Sequence, residues 1–229
     1  MDAARDRLAA IRAEVARQGH ALLDAGPVAP GFAASFEDLA LDAHMGDGGR
    51  YRLRRHATFA AAPGKAGIAR QPHRPHRQAL AHNRLNGDVD RWFEPVLPEV
   101  EPALAPLLAF CRDLADGLQS APASWDIEVH QFRILGQPGT PGLPTPEGVH
   151  RDGVDLVFIM LVGRRNVSGG RTLIQDAEGR ALAEVELAEP GQAMVLDDHR
   201  IRHGVTPIAP LEAGVPATRD VLVVTLRRA

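Results

Sequence analysis

From Pro122 to the end, the sequence is a succession of short apolar runs separated by Gly, Pro and Asp residues. The runs are WDIEVHQFRIL, VDLVFIMLVG, RTLIQDA, ALAEVEL, GQAMVLD and RDVLVVTLRR. Short runs with turn residues between them are typical of the strands of a β-sandwich or barrel. No interval between them is long enough for the helices of parallel βαβ units, which argues against an α/β sheet.

The first 121 residues have a different sequence pattern, with apolar residues at helical spacing. The pattern predicts helices at the N-terminus, where Gly19 or Gly26 can end the helix, at residues 36–43 and at residues 99–119. It also predicts strands at residues 51–59 and 77–82 and a turn at Asn86-Gly87. We therefore expect one domain over residues 1–229, in which a helix-rich half, 1–121, supports a β core, 122–229, that carries the functional site.

The composition indicates a soluble globular protein: 45% of the residues are hydrophobic, 24% are charged and the net charge is −3. This charge gives no electrostatic reason for binding nucleic acid or an anionic membrane. The N-terminus lacks the apolar core of a signal peptide, and no run approaches a membrane span, so a cytoplasmic location is expected. Cys111 is the only cysteine, and its apolar surroundings indicate a buried structural thiol.

A histidine and an aspartate, His150 and Asp152, stand two residues apart in EGVHRDGVD, just before a long apolar run. On a strand, residues two apart project to the same face, so both side chains can point inward while Arg151 points away. Gly153 then allows the backbone conformations that other residues disfavour, just before the apolar run begins. An imidazole and a carboxylate on one face supply two ligands of a metal site.

The third ligand has to come from another strand, and DDHRIRHGVTPI offers His199 and His203. His199 lies in a solvated, turn-like run, whereas His203 precedes GVTPI, as expected where a strand re-enters the core. His203 is therefore the predicted ligand. Two histidines and one carboxylate on one side of a metal form the facial triad of non-haem Fe(II) oxygenases. A closed zinc site would favour thiolates, and the chain has a single cysteine.

These stretches together resemble a known family. H-x-D, a histidine 53 residues after His150 and a later arginine are similar to the Fe(II)/2-oxoglutarate-dependent dioxygenases. More narrowly, GVHRDGVDLVFIMLVGRRNVSGG, DDHRIRHGVTPI and RDVLVVTL resemble the bacterial group that hydroxylates free amino acids, such as isoleucine 4-hydroxylase and pipecolate 3-hydroxylase. The likeness is strongest over residues 126–226 and extends more weakly through YRLRRHATF and HNRLNGDVDRWFEP.

The resemblance implies a double-stranded β-helix, that is, a jelly-roll or cupin-like core, with Fe(II), 2-oxoglutarate and O₂ as the reagents. It implies that His150, Asp152 and His203 bind the iron and that Arg219 holds the far carboxylate of 2-oxoglutarate. A guanidinium at the mouth of a strand suits that task, because it can bind a carboxylate through two parallel hydrogen bonds. Thr225 shares the face of Arg219 and can add a hydroxyl. The products are succinate, CO₂ and a hydroxylated substrate.

Further residues are candidates for the cavity wall. Gln131 and Arg133 share one face of a predicted strand, and Thr172 follows Gly169-Gly170; we expect all three to line the cavity. Asp155 is a candidate for a supporting contact at the site. Arg54 and Arg84 are candidates for a substrate carboxylate clamp, which Arg55, Asn83 and Asn86 can also supply.

Four other histidines are not expected to bind metal. His73, His76 and His82 lie in or after a proline-rich stretch without a carboxylate or thiolate partner, which indicates a solvated loop. His130 falls on the face opposite Gln131 and is expected to be an ordinary strand residue.

The predicted substrate is a free aliphatic or cyclic L-amino acid of the isoleucine, leucine, methionine, proline or pipecolate type. Two alternatives stay open from the sequence. One is the same chemistry on a carrier- or peptide-bound amino acid, and the other is a cupin-like protein that binds metal without turnover. The sequence does not indicate an oligomeric state.

Overall fold

The computed structural model describes residues 2–229, which form three α-helices, one 3-10 turn and thirteen strands. The helices are α1 (Asp2–Gln18), α2 (Pro30–Ala34) and α3 (Glu101–Gly117), and the 3-10 turn is Pro98–Val100. The strands are β1 (His20–Asp24), β2 (Arg52–Ala61), β3 (Ile68–Arg70), β4 (Glu94–Pro95), β5 (Trp125–Gly136), β6 (Leu156–Arg165), β7 (Val167–Gly169), β8 (Thr172–Asp176), β9 (Ala181–Val185), β10 (Gln192–Asp197), β11 (Ile201–Val205), β12 (Ile208–Pro210) and β13 (Ala217–Arg228). The protein is mainly β, and each apolar run predicted after Pro122 contains a strand.

The largest sheet has eight strands in the order β1-β10-β6-β13-β5-β2-β3, with β4 added beside β2. Its neighbours are antiparallel, apart from the short parallel pair of β2 and β4. A second sheet has the order β11-β8-β9, and β12 pairs with β7. Strands from both halves of the chain therefore share the main sheet.

The main sheet buries both of its faces, as β6 shows. Phe158 and Met160 belong to an apolar cluster that includes residues of the three helices, whereas Val157 and Ile159 pack in a second cluster with Ile174 of the second sheet. Alternate residues of a strand point to opposite faces, so the helices cover one face and the second sheet covers part of the other. Burying each of these large side chains contributes roughly 1.5–3 kcal/mol.

The helices predicted at the N-terminus and at residues 99–119 are confirmed, with shifted bounds. Helix α1 ends at Gln18, because Gly19 has φ +82° and its N–H donates to the carbonyl of Val15 over 2.7 Å. A positive φ is accessible to glycine at little cost, so this residue can close the helix. Helix α3 occupies most of residues 99–119, and Cys111 is fully buried in it.

Two predicted elements of the first half are wrong. Residues 36–43 begin in turns rather than a helix, because Leu41 pairs with Leu53 and Asp42 forms an ion pair with Arg52. Residues 77–82 are a turn-rich loop and not a strand; the nearby backbone pairing is instead between His76 and Arg91.

The expected helix-rich character of residues 1–121 is also not confirmed. Besides the helices, this half contributes four strands, and the ten-residue β2 lies inside the main sheet beside β5. No helix within residues 2–229 is long and apolar enough to cross a membrane.

Candidate active site

Three side chains meet at one end of a cavity between the sheets: His150, Asp152 and His203. The Nε2 atom of His150 lies 3.6 Å from Oδ1 of Asp152, and Nε2 of His203 lies 3.7 Å from Oδ2 of the same carboxylate. One ligand atom from each residue lies within 4.8 Å of the others. Two imidazole nitrogens and a carboxylate oxygen are ligands that suit a non-haem Fe(II) ion, and three protein ligands leave coordination positions open.

The loop that carries His150 and Asp152 is not the regular strand that the sequence predicts. Only His150 is paired, in an isolated bridge with His203, and the chain then turns before β6. Gly153 supports the turn with φ +81°. The carboxylate of Asp198 accepts hydrogen bonds from the backbone N–H groups of Asp152 (3.0 Å), Gly153 (2.7 Å) and Val154 (3.1 Å). A buried carboxylate, rather than strand periodicity, therefore fixes this loop.

The orientation of the His150 ring suits metal binding through Nε2. Its Nδ1 lies 3.0 Å from the carbonyl oxygen of Gly148; because a carbonyl only accepts, Nδ1 carries the proton and Nε2 faces Asp152. Burial lowers the pKa of His150, but the hydrogen bond and charge of Asp152 and the charge of Glu147 outweigh it and raise the pKa to about 9. Burial lowers the pKa of His203 to about 4, and the charge of His150 acts in the same direction.

The two candidate distal histidines lie in different environments. The side chain of His203 is 6% exposed and faces Asp152, whereas that of His199 is 63% exposed and its Nε2 lies 3.1 Å from Asp155. His203 therefore lies with His150 and Asp152, and His199 lies outside the group.

Arg219 is buried in the same cavity and forms no direct ion pair within residues 2–229, although the charges of Glu186 and Asp220 act on it from farther away. It is 2% exposed, and neither its Nε nor its Nη2 atom has a hydrogen-bond partner within residues 2–229. Burial, reinforced by the positive charge of Arg164, lowers the pKa of Arg219 to about 10, so the guanidinium stays charged at neutral pH. A buried, unpaired charge costs several kcal/mol. An anionic ligand would remove that cost, and the carboxylate of 2-oxoglutarate fits this requirement.

The backbone next to Arg219 makes room for its side chain. Gly170 has φ +74°, and a Cβ atom there would lie 3.1 Å from Cδ of Arg219. Glycine therefore satisfies both the backbone conformation and the close approach.

The cavity has a volume of about 310 Å³, at the lower end of the roughly 300–1,000 Å³ typical of small-molecule sites. Among the site residues predicted from the sequence, seven line it, and they are His150, Asp152, His203, Arg219, Thr225, Arg54 and Asn83. Thr225 lies six residues beyond Arg219 on the same face of β13, about 20 Å along the strand. Its hydroxyl is therefore not beside the guanidinium, contrary to the expectation.

Gln131 and Arg133 lie on the other face of β5, so the prediction that they line the cavity is wrong. Gln131 donates to Oγ of Ser35 over 2.7 Å, and Arg133 bonds with Asp220 and Glu37. The residues of β5 that line the cavity are Glu128, His130, Phe132 and Ile134 together with Asp126 at the outer end.

Three further candidates also lie outside the cavity lining. Thr172 is buried and pairs with Val205, and of these two residues only Val205 lines the cavity. The hydroxyl of Thr172 has no hydrogen-bond partner in the described chain. Asp155 binds His199 and Arg228. Arg84 is exposed.

Sequence reasoning missed several residues that surround the site. Gln78 donates to Oδ1 of Asp152 over 3.1 Å and accepts from Arg91 over 2.9 Å. The view of His76 as part of a solvated loop is wrong, because it is buried and its Nδ1 lies 2.5 Å from Oε2 of Glu128. His130 and His82 both line the cavity. Only a structure brings these residues together, since they lie on separate segments.

Comparisons with known proteins agree with this geometry. The sequence profile of the 2OG-Fe dioxygenase family matches residues 33–225. The chain is 30% identical over 160 residues to the 3(1)-hydroxy-L-isoleucine 4-dioxygenase of Pantoea ananatis, covering 67% of this chain and 64% of that protein. It is 31% identical over 100 residues to the L-isoleucine-4-hydroxylase of Bacillus thuringiensis, covering 43% and 41%. The matches thus span less than two thirds of either relative's length.

Solved structures show the same fold. A bsmA homolog from Methylobium petroleophilum PM1 superposes with a TM-score of 0.84 and 36% identity, covering 97% of this chain and 93% of that one. IDO from Bacillus thuringiensis superposes with a TM-score of 0.79 at 18% identity, covering 96% and 95%. The chain belongs to the 2OG-Fe dioxygenase family.

Proposed function

We propose that this enzyme hydroxylates an unactivated C–H bond of a free aliphatic or cyclic L-amino acid. In this proposal, His150, Asp152 and His203 hold the iron, and Arg219 holds the far carboxylate of 2-oxoglutarate. The observation that carries the proposal is that the three ligands and an unpaired, buried arginine line one small cavity. The isoleucine-oxidising relatives support the substrate class.

Bound iron supplies the oxidising chemistry, in which 2-oxoglutarate and O₂ give succinate, CO₂ and a hydroxylated substrate. The protein's part is to place the reagents and to keep water away. Asp198 fixes the loop of His150 and Asp152, and Gln78 holds one oxygen of the Asp152 carboxylate. These contacts orient the metal-binding groups before the ligands arrive.

Arg219 provides the anchor for 2-oxoglutarate. Val221 and Val223 follow it on the same face of β13 and line the cavity between Arg219 and Thr225. An apolar floor next to one buried cation suits a short dicarboxylate whose middle carbons are apolar. The far carboxylate would then form the ion pair that Arg219 lacks.

Arg54 is the proposed clamp for the carboxylate of the amino acid. It is 3% exposed, it lines the cavity, and its Nε atom has no hydrogen-bond partner among the described residues. Its guanidinium carbon lies 3.6 Å from the ring centre of Phe93 and 4.5 Å from that of Phe132, so the aromatic rings hold the group in place.

We further propose that the main sheet and the β11-β8-β9 sheet are the two sides of a double-stranded β-helix. Residues of both sheets line the cavity, and the strands of each are antiparallel. Because strands of the first 121 residues complete the main sheet, residues 1–229 are proposed to act as one domain.

The test is a turnover assay with purified protein, Fe(II), ascorbate and 2-oxoglutarate. Succinate release should rise when a suitable amino acid is present, and the product should be heavier by one oxygen atom. The panel is L-isoleucine, L-leucine, L-methionine, L-proline and L-pipecolate, each free and loaded on a carrier protein. Stimulation by the carrier-loaded forms alone would refute the proposal of a free amino acid.

A further inference from the structure

A second polar cluster, distinct from the three proposed iron ligands, has three of its four residues on the cavity wall. It consists of Glu128 and His130 on β5, His56 on β2 and His76 in the loop after β3, and we call it the Glu128 cluster. Oε2 of Glu128 lies 2.5 Å from Nδ1 of His76, 3.3 Å from Nε2 of His56 and 3.5 Å from Nε2 of His130. The three histidines are buried, and His56 is 0% exposed.

Arg54 determines which nitrogen of His130 carries the proton. Its Nη2 lies 2.8 Å from Nδ1 of His130. A guanidinium can only donate, so Nδ1 accepts and the ring proton lies on Nε2, which faces Glu128. His76 likewise donates from Nδ1 to the carboxylate. The N–H groups of His76 and His130 therefore face the carboxylate of Glu128.

The charge of the Glu128 cluster follows from these contacts. Burial raises the pKa of Glu128, but the hydrogen bond from His76 and the nearby rings of His130 and His56 outweigh it and hold the pKa far below its usual range. Burial lowers the pKa of each of the three histidines. At neutral pH the cluster therefore carries one negative charge, which belongs to the carboxylate of Glu128.

This arrangement does not favour a second metal ion, although three histidines and a glutamate are suitable ligands. Metal binding at Nε2 of His130 would move the ring proton to Nδ1, where it would meet the N–H group of Arg54. The positive charge of Arg54 would also lie next to a dication. A ligand that brings its own N–H donors and a single positive charge fits better.

The other carboxylate oxygen of Glu128 can receive such a donor. Glu128 lines the cavity, and no group in the described part of the chain donates a hydrogen bond to its Oε1 atom. A carboxylate has about four acceptor positions, so bonds to Oε2 leave those of Oε1 open.

Glu128 lies at the same end of β13 as the loop of the proposed iron ligand Asp152. Glu128 pairs with Thr225 in the register of β5 and β13, and the N–H of Asp155 donates to the carbonyl of Leu226. The loop of Asp152 and the Glu128 cluster are thus at the same end of β13, whereas Arg219 is at the other end. The carboxylate of Glu128 and the guanidinium of Arg54 both line the cavity and offer a substrate one negative and one positive charge.

We propose that Glu128 binds the ammonium group of the substrate, with His56, His76 and His130 as the residues that position its carboxylate. This inference rests on the proposed function and adds an ammonium site to it. Together with Arg54 it recognises both charges of a free amino acid. A carrier-bound amino acid keeps its amine but lacks the carboxylate that Arg54 would bind, so the pair of charges favours the free form.

The test compares ligands with and without the amine. Binding of L-isoleucine and 3-methylpentanoate, and of L-pipecolate and cyclohexanecarboxylate, is measured by anaerobic calorimetry on protein loaded with Fe(II) and 2-oxoglutarate. Glu128→Gln should weaken binding of the better amino acid by about 30-fold or more, since it breaks a buried charge pair. The same substitution should change binding of the matching amine-free acid by no more than about twofold, because that acid has no amine to bind Glu128.

Two further variants make the comparison decisive. Glu128→Asp keeps the charge and should give an intermediate loss, which also serves if Glu128→Gln does not fold. Glu184→Gln makes the same chemical change on β9, outside the cavity lining, at a carboxylate that pairs with Arg171, and should bind L-isoleucine as the unchanged protein does. Equal losses for the amine-bearing and amine-free ligands would overturn the ammonium site.

The remaining outcomes separate this inference from the proposed function. If the unchanged protein binds neither amino acid, the free amino acid substrate and the ammonium site both fail. If it binds one of them and Glu128→Gln binds it equally well, only the ammonium site fails. Zn²⁺ titration of the His150→Ala/His203→Ala variant should show no tight site; one equivalent that His56→Ala removes would identify the cluster as a metal site instead.

Discussion

The backbones of His150 and His203 exchange two hydrogen bonds, each 2.8 Å long, although the residues lie 53 positions apart in the sequence. This pairing brings the two imidazole rings to 4.8 Å between centroids. Their Nε2 atoms then face opposite oxygens of Asp152. The pairing of this loop with β11 therefore sets the relative positions of the two histidines of the proposed iron site.

Removing the distal ligand should abolish stoichiometric iron binding. His203→Ala leaves one histidine and one carboxylate, which is too few for a stable Fe(II) site of this type. His199→Ala is the matched control, because its exposed ring contacts Asp155 and not Asp152. Iron per chain, measured colorimetrically after anaerobic loading and desalting, should fall close to zero in the first variant and stay unchanged in the second. The reverse pattern would assign the ligand to His199.

Asp198 should control iron affinity without touching the metal. Asp198→Asn replaces an acceptor of three backbone N–H groups with an amide that accepts through only one atom. Loss of a residue that orients metal ligands typically weakens affinity by about 10–100-fold. Asp197→Asn is the control, since the side chain of Asp197 accepts a hydrogen bond from the backbone N–H of His199 and from no other group within residues 2–229. Competition with a calibrated chelator measures the Fe(II) affinity of both variants. Equal affinities would show that the loop of His150 and Asp152 does not need the hydrogen bonds of Asp198.

The sequence predicts those parts of the site that depend on local order along the chain. H-x-D, the apolar run after it and a histidine before GVTPI are each visible in one stretch of residues. The function of Asp198 is not, because a solvated DDH run and a buried carboxylate look alike in sequence. Nor does the sequence show which face of β5 lines the cavity. Glu128 and His130 alternate with Gln131 and Arg133, and only the pairing of β5 with β13 and β2 decides between them.

Cys111 should be unreactive in the folded protein. It is fully buried in α3, and burial raises the pKa of its thiol far above the usual value. The thiol therefore stays protonated at pH 8, whereas the thiolate is the reactive form. Ellman's reagent at pH 8 should detect no thiol in the native protein and one per chain in guanidinium chloride. Rapid reaction of the native protein would contradict the burial of α3 against the main sheet.

We expect Arg219 to lower the stability of the protein without 2-oxoglutarate and to raise it when 2-oxoglutarate is bound. Arg219→Met removes a buried, unpaired charge, so the variant should be more stable than the unchanged protein without 2-oxoglutarate. Ligand at a hundred times its dissociation constant stabilises a protein by about 2.7 kcal/mol. Thermal unfolding with and without 2-oxoglutarate should show that shift in the unchanged protein and lose it in Arg219→Met. An equal shift in both would place the anchor elsewhere.

Gly170→Ala should disturb the same anchor from the backbone side. The substitution costs roughly 1–2 kcal/mol, because alanine disfavours the positive φ, and its Cβ would also lie 3.1 Å from Cδ of Arg219. Gly139→Ala is the matched control, since Gly139 has φ +78° and nothing within 4 Å of an added Cβ. Both variants should lose similar backbone stability, measured by urea unfolding. Only Gly170→Ala should also weaken 2-oxoglutarate binding in calorimetry, because only there does the new methyl group displace the guanidinium. Unchanged binding would mean that Arg219 can shift without losing the carboxylate.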